Sequence, residues 1–187
     1  AYFGYDAALN KAIRPLFFEE TGSRPLDLAE ALDAQQAGAI VLDSRSPDEF
    51  ALGHLRGSIN VGLAGRYSEF VGGIIAAGTP IVIVADEAHE NESKTRLARI
   101  GFDDVIGHLA DPVQAFTTAP EHVVRSSRVE VAGAKAAMAG VADLQVVDVR
   151  QPGETADGVI EGATLIALTQ LNDRINELDP TKPTLLY

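Results

Sequence analysis

Apolar residues recur along this chain with two periods, and their alternation lays out a series of short helices and strands. Asp27 with Glu30 three residues on reads as a capping box. Leu28, Ala31 and Leu32 then fall on one helical face, and Gly38 closes the helix. Ala39 to Leu42 is a short apolar strand, Pro47 to Leu52 a short helix, and Ser58 to Leu63 contains a second strand. Tyr67 to Ala77 reads as a helix ending at Gly78. Ile81 to Ala85 is β-branched and apolar on both parities, the pattern of a strand buried on both faces. Glu92 to Ile100 follows as a helix closed by Gly101, then Val105 to Leu109 as a strand and Pro112 to Phe116 as a closing turn or helix. Strands alternating with helices imply an α/β fold with a mostly parallel sheet covered on both faces.

The pattern then starts again. Val41-Leu42-Asp43-Ser44-Arg45-Ser46-Pro47-Asp48-Glu49 returns as Val146-Val147-Asp148-Val149-Arg150-Gln151-Pro152-Gly153-Glu154, and Gly53 and Gly57 return as Gly158 and Gly162. The offset is 105 residues throughout. Solenoid repeats are shorter, roughly 20 to 50 residues, so the repeat implies a duplicated domain. The second copy predicts a helix near Val131 to Ala139, a strand Leu144 to Val147, a helix near Thr169 to Glu177 and a strand Thr184 to Tyr187. The expected division is a linker segment over 1–24, a first domain over 25–119 and a second, incomplete one over 120–187. With Ala1 at one end and Thr184-Leu185-Leu186-Tyr187 at the other, both ends read as cut, as in a fragment of a larger protein.

Composition narrows the chemistry. A formal net charge of −12 argues against nucleic acid or an anionic membrane as partner, and no apolar run approaches the ~20 residues of a membrane helix. The chain has no cysteine, which excludes thiolate catalysis, disulfides and Cys-ligated metals within it. His54, His89, His108 and His122 form no HxH or HxxxH pair, so neither a metal nor another cofactor is expected. The lack of disulfides is compatible with a cytoplasmic setting.

Asp43-Ser44-Arg45, Glu49-Phe50 and Gly53-His54-Leu55-Arg56-Gly57-Ser58-Ile59 resemble the motif of the rhodanese family, as does Arg99-Ile100-Gly101-Phe102 leading into Val105. The resemblance covers Pro25 to Ala119. Asp148, Arg150, Glu154, Gly158 and Gly162 repeat it, with Thr155 where an aromatic is usual and Val159 where a histidine is usual. It implies a rhodanese-like three-layer α/β/α fold in two copies, the second incomplete. Tyr2-Phe3-Gly4-Tyr5-Asp6 through Asn10 is similar to the stretch joining a metallo-β-lactamase-fold domain to paired rhodanese domains in bacterial fusion proteins that resemble persulfide dioxygenases. The partner so implied is a covalently linked metallo-β-lactamase-fold domain, with sulfane-sulfur donors acting on the larger protein only.

On spacing alone, Arg45 and Glu49 stand four apart and are expected to pair, as are Arg150 and Glu154. His54 is expected to hydrogen-bond and hold its loop, and Asp43 and Asp148 to anchor loops at the strand ends where α/β ligands bind. The family moves sulfane sulfur through a cysteine thiolate directly after its central strand. Inward N–H groups and a helix N-terminus there stabilise the persulfide anion. Here that strand runs into Ala85-Asp86-Glu87-Ala88-His89-Glu90-Asn91, and the cysteine position falls on Ala85 or Asp86. Neither forms a persulfide, and Asp86, Glu87 and Glu90 make an acidic cradle that repels an anionic donor. An acid catalyst built from Asp86 and Glu87 is the competing reading, set against solvated carboxylates at a loop tip. In the second copy, Pro183-Thr184-Leu185-Leu186-Tyr187 fits the family's strand, and its cysteine would be the next residue. Three functions are therefore open: a non-catalytic positioning module, a sulfurtransferase region whose cysteine follows Tyr187, or a phosphatase of the same fold, which the short acidic loop disfavours in the first domain.

Overall fold

A computed structural model describes residues 22–187. The Tyr2-to-Asn10 stretch, and with it most of the expected linker segment, lies outside the described residues. The chain divides into two compact units, the first reaching Ser127 and the second running from Arg128 to Tyr187.

In the first unit, β1 (Pro25–Leu26), β2 (Ile40–Asp43), β4 (Ile59–Asn60), β5 (Ile81–Val84) and β6 (Val105–Leu109) form one sheet in the order β1-β6-β5-β2-β4. Every pairing in it is parallel. Five helices accompany it: α1 (Leu28–Gln36), α2 (Pro47–Leu52), α3 (Tyr67–Ile74), α4 (Glu90–Ala98) and α5 (Pro112–Thr118). Alternation along the central strands divides the core into two layers. Leu42, Ile81 and Ile83 point to one face and pack with Tyr67, Val71 and Leu97 of α3 and α4. Val41, Val82 and Val84 point to the other and pack with Leu26, Ala31, Leu55 and Leu109. All four β5 residues are fully buried, as their unbroken β-branched run implies. The result is a rhodanese-like α/β/α arrangement around a parallel sheet.

Local signals account for the element ends. Asp27 accepts the Glu30 amide while the Glu30 carboxylate accepts the Asp27 amide, a reciprocal cap on α1. Ser46 and Glu49 do the same for α2, with Pro47 in the first turn. Helix α3 stops at Ile74, short of the expected Ala77, and α4 starts two residues before the expected Glu92. β5 ends at Val84 instead of Ala85.

The first unit also extends past the expected boundary at residue 119. β7 (Val123–Val124) pairs antiparallel with β3 (His54–Leu55), and the Arg56 amide donates to His122 O at 2.9 Å. These two-residue strands carry too short an alternation to be read from sequence. They tie residues 120–127, expected above to open the second domain, to the first unit.

The second unit contains α6 (Val131–Gly140), β8 (Gln145–Asp148), β9 (Thr164–Leu165), α7 (Leu171–Arg174) and β10 (Thr184–Leu186). The helix expected over Thr169 to Glu177 is one α-helical turn between two 3₁₀ turns, Leu168–Gln170 and Ile175–Glu177. Its three strands pair in parallel in the order β10-β8-β9. β8 and β9 lie 105 residues beyond β2 and β4, and the order matches β5-β2-β4.

Candidate functional site

The carboxyl ends of β2 and β5 lie side by side, with Asp43 in register with Val84. In a parallel α/β sheet this is the edge at which loops build a site. The Ser44 amide and hydroxyl both donate to Val84 O, at 2.7 and 2.9 Å, fixing the two strand ends together.

Arg45 turns back onto the strand it has just left. Its Nε donates to Asp43 Oδ1 at 3.0 Å and its Nη2 to Asp43 Oδ2 at 2.5 Å, while its amide also reaches Oδ1. Nη2 further donates to Gly53 O at 2.9 Å, and the guanidinium lies 5.0 Å from the Phe116 ring centre. Asp43 is fully buried and Arg45 nearly so. The Asn60 amide group closes the arrangement by donating to Asp43 O and Arg45 O.

This corrects the expected pairing of Arg45 with Glu49. Arg45 lies at the bend just before α2, where its side chain folds back onto Asp43, and Glu49 is taken by the helix cap. The Ser46 hydroxyl donates to Glu49 Oε2 at 2.6 Å and holds the Glu49 carboxyl below its usual range. His54 Nδ1 lies 2.7 Å from Phe50 O, and the two rings stack with centroids 3.6 Å apart.

The second unit repeats the aspartate–arginine part of this geometry. Arg150 Nε and Nη2 grip Asp148, and Nη2 donates to Gly158 O at 2.9 Å, the counterpart of Gly53. Glu154 accepts from the Gln151 amide at 2.7 Å across a turn, so the expected Arg150–Glu154 side-chain pair is likewise replaced by the aspartate. Arg150 reaches Glu154 only at its backbone carbonyl. The hydrogen bonds from Arg150 bring the Asp148 carboxyl down to about 2, and its own proton is held more tightly in return. The guanidinium lies 5.4 Å from the Tyr187 ring centre.

In the first unit, the loop after β5 starts with Ala85, which is buried, and continues through exposed Asp86, Glu87, Ala88 and His89 to Glu90 at the start of α4. Ala88 has a positive φ of 68°, and the His89 amide donates to Asp86 O across the turn. Burial and the neighbouring Glu49 charge raise the Asp86 carboxyl above its usual range. Asn91 faces away from the loop: its Oδ1 accepts the Ser23 amide at 2.7 Å. The loop, the end of α2 and the start of α5 enclose an open cleft of about 870 Å³. Leu52, Val113 and Phe116 form apolar parts of its wall, and Glu49, Asp86 and Glu87 acidic parts. Val113 and Phe116 of the cleft, and Asn60 of the Asp43–Arg45 support, carry no site signal in the linear pattern, because α5 and β4 bring them there only through the sheet order.

The family model for the rhodanese-like domain matches residues 25–119. The chain belongs to the rhodanese-like family. Over 49 residues it is 47% identical to "Uncharacterized protein YqhL" of Bacillus subtilis (strain 168), a match covering 26% of this chain and 39% of that relative. The chain thus spans less than half the length of the curated relative it matches. Among solved structures it is similar to a thiosulfate sulfurtransferase from Pseudomonas aeruginosa, at 20% identity over 87% of this chain and 35% of that one, with a TM-score of 0.47. It is also similar to the Alr3790 protein from Anabaena sp., at 15% identity over 55% and 94% of the two chains, with a TM-score of 0.47.

A rhodanese-like loop needs a thiolate to take up sulfur, and this one offers a methyl group at Ala85 followed by carboxylates. Among the described residues no group of three or more His, Asp or Glu side chains is placed to hold a metal, and no helix is long and apolar enough to cross a membrane.

Proposed function

We propose that the first unit is a rhodanese-like domain without sulfur-transfer chemistry, serving to position its neighbours in a larger sulfur-metabolising protein. The observation that carries this reading is the intact Asp43–Arg45 support beside a loop whose strand-end position is Ala85. The support fixes the strand ends, while the loop lacks a nucleophile and presents like charge to an anionic donor such as thiosulfate. We place the absent cysteine at Ala85, the first residue after β5, with Asp86 as the first of the acidic substitutes. The test is thiocyanate formation from thiosulfate and cyanide by the purified chain. Turnover no faster than buffer is expected, and turnover above it would overturn the reading.

A second reading concerns the second unit, taken here as a further, partial rhodanese-like copy in tandem with the first. The Val149 amide donates to Tyr187 O at 2.9 Å, as the Ser44 amide donates to Val84 O. Tyr187 is thereby the counterpart of Val84, and the residue after it the counterpart of Ala85. In this reading a larger protein, with a metallo-β-lactamase-fold domain linked to the pair in a bacterial cytoplasm, carries its sulfur-accepting cysteine directly after Tyr187. It takes sulfur from thiosulfate or a persulfide. Incubating that larger protein with thiosulfate and recording its intact mass tests this. Gain of one sulfur atom, lost on reduction, is expected; no gain overturns it.

A further inference from the structure

Five carboxylates line the cleft of the first unit against two guanidiniums, and one of these, Arg45, is already neutralised by Asp43. The second, Arg125, sits at the rim with its Nε donating to Leu52 O at 3.1 Å. A strongly acidic concavity therefore remains. Its rim carries a second, unrelated feature. Of the three large hydrophobic side chains exposed among the described residues of the first unit, two belong to this cleft: Leu52 at 75% and Val113 at 73% exposure. Scattered exposed hydrophobics are ordinary, but two converging on one concavity mark a place where apolar surface is covered on binding.

These two features together define the chemistry of an occupant. No three of the acidic side chains converge as metal ligands, so a compact ion does not fit. Lysine and arginine side chains combine a cationic head with an aliphatic stem, and the stem covers apolar surface while the head reaches carboxylates. A space of about 870 Å³ exceeds one such side chain and suits a short segment. We propose that this cleft docks a basic peptide segment of a partner protein, a lysine or arginine lying among Asp86, Glu87 and Glu90 with apolar neighbours against Leu52 and Val113. This rests on the non-catalytic reading of the loop and supplies its partner: a surface built to hold an anionic donor has become one that holds a cation.

The test is fluorescence anisotropy with a fluorescein-labelled hexapeptide alternating leucine and lysine, run beside its leucine–glutamate counterpart, on the 187-residue chain. Saturable binding of the lysine peptide alone is expected, with amide shift changes confined to Ala85–Glu90 and the start of α5. Glu87→Lys, at an exposed loop position, should weaken binding on the order of tenfold. Leu52→Ser, on an exposed helix end, should weaken it by several-fold with an unchanged melting temperature. Equal binding of the glutamate peptide, no effect of Glu87→Lys, or shift changes elsewhere would overturn the proposal. Spermidine competing as tightly as the peptide, with Leu52→Ser neutral, would reassign the cleft to free polyamines and overturn it too. Because no sulfur donor is present, thiocyanate turnover would defeat the functional reading while leaving this result standing.

Discussion

Asp43 and Arg45 are both buried, so each depends on the other for its solvation. Removing one partner of such a pair strands the second charge, at a cost of about 3–5 kcal/mol. Asp43→Ala should therefore lower the stability of the first unit by that amount, read as a shift in urea midpoint at constant slope. A change below about 1 kcal/mol would mean that water replaces the carboxylate. The equivalent pair in the second unit gives a pH signature instead. Asp148 sits at about 2 in the folded chain against an ordinary 3.8. A depressed carboxyl contributes stability that is fully present above the unfolded value and is lost as pH falls toward the folded one. Carboxyl carbon shifts should accordingly show Asp148 still ionised at pH 3, and the second unit should lose stability between about pH 4 and pH 2. A midpoint near the ordinary value would show that Arg150 does not hold it. At this scale the sequence made the recurring Asp-x-Arg visible, but spacing alone misassigned the arginine's partner. The i, i+4 rule describes residues within a helix, and Arg45 precedes α2.

Elements were legible where the pattern is long. β5 reads directly from Ile81-Val82-Ile83-Val84, and α1 from its reciprocal cap. The two-residue strands β1, β3 and β7 were not, because they are defined by partners distant in the chain, whereas β4, equally short, falls within the strand expected over Ser58 to Leu63. Gly107 shows what that partnership demands: a Cβ there would stand 2.4 Å from Arg24 O and 2.9 Å from Leu26 Cγ. Gly107→Ala should force β1 from the sheet edge at a cost of about 1–3 kcal/mol. Hydrogen exchange would register it as faster loss at the His108 and Ala110 amides, which donate to Arg24 O and Leu26 O. Unchanged protection would place the strain elsewhere. The loop after β5 invites a different substitution. Ala85→Cys puts a thiol where the strand ends, in a cleft whose carboxylates, Glu49, Asp86 and Glu87 among them, outnumber its guanidiniums. Its thiol should titrate at or above the ordinary ~8.5, since Arg45 is already paired with Asp43 and burial of the Ala85 position opposes the thiolate. Iodoacetamide labelling rates against pH measure this directly. A midpoint near neutrality would show that the α4 N-terminus still functions as an anion cradle, and would reopen the loop to sulfur chemistry.

For the molecule as a whole, the repeat of 105 residues made the second Asp-x-Arg and its following glycines legible, but it could not say how unevenly the two units are built. Of the hydrophobic side chains that are buried, the second unit contributes Val147, Ile166 and Ala167, and the first contributes all the rest. Helix α6 buries none of its residues, and Leu165, Leu168, Ile175 and Leu186 stand about half exposed. Burial stabilises by roughly 25 cal/mol per Å² of apolar surface, and chains of about 60 residues are marginal even with a full core. Conformational entropy opposes folding in proportion to length, so a unit with three buried apolar side chains has little to set against it. Thermal unfolding of this chain should accordingly proceed in two steps, the second unit melting first. Native-state hydrogen exchange should separate them further. The β8 amides should exchange at least tenfold faster than those of β5, a difference of about 1.4 kcal/mol or more in opening free energy. A single cooperative transition with equal protection in β5 and β8 would mean that the second unit draws its stability from surfaces other than its own core.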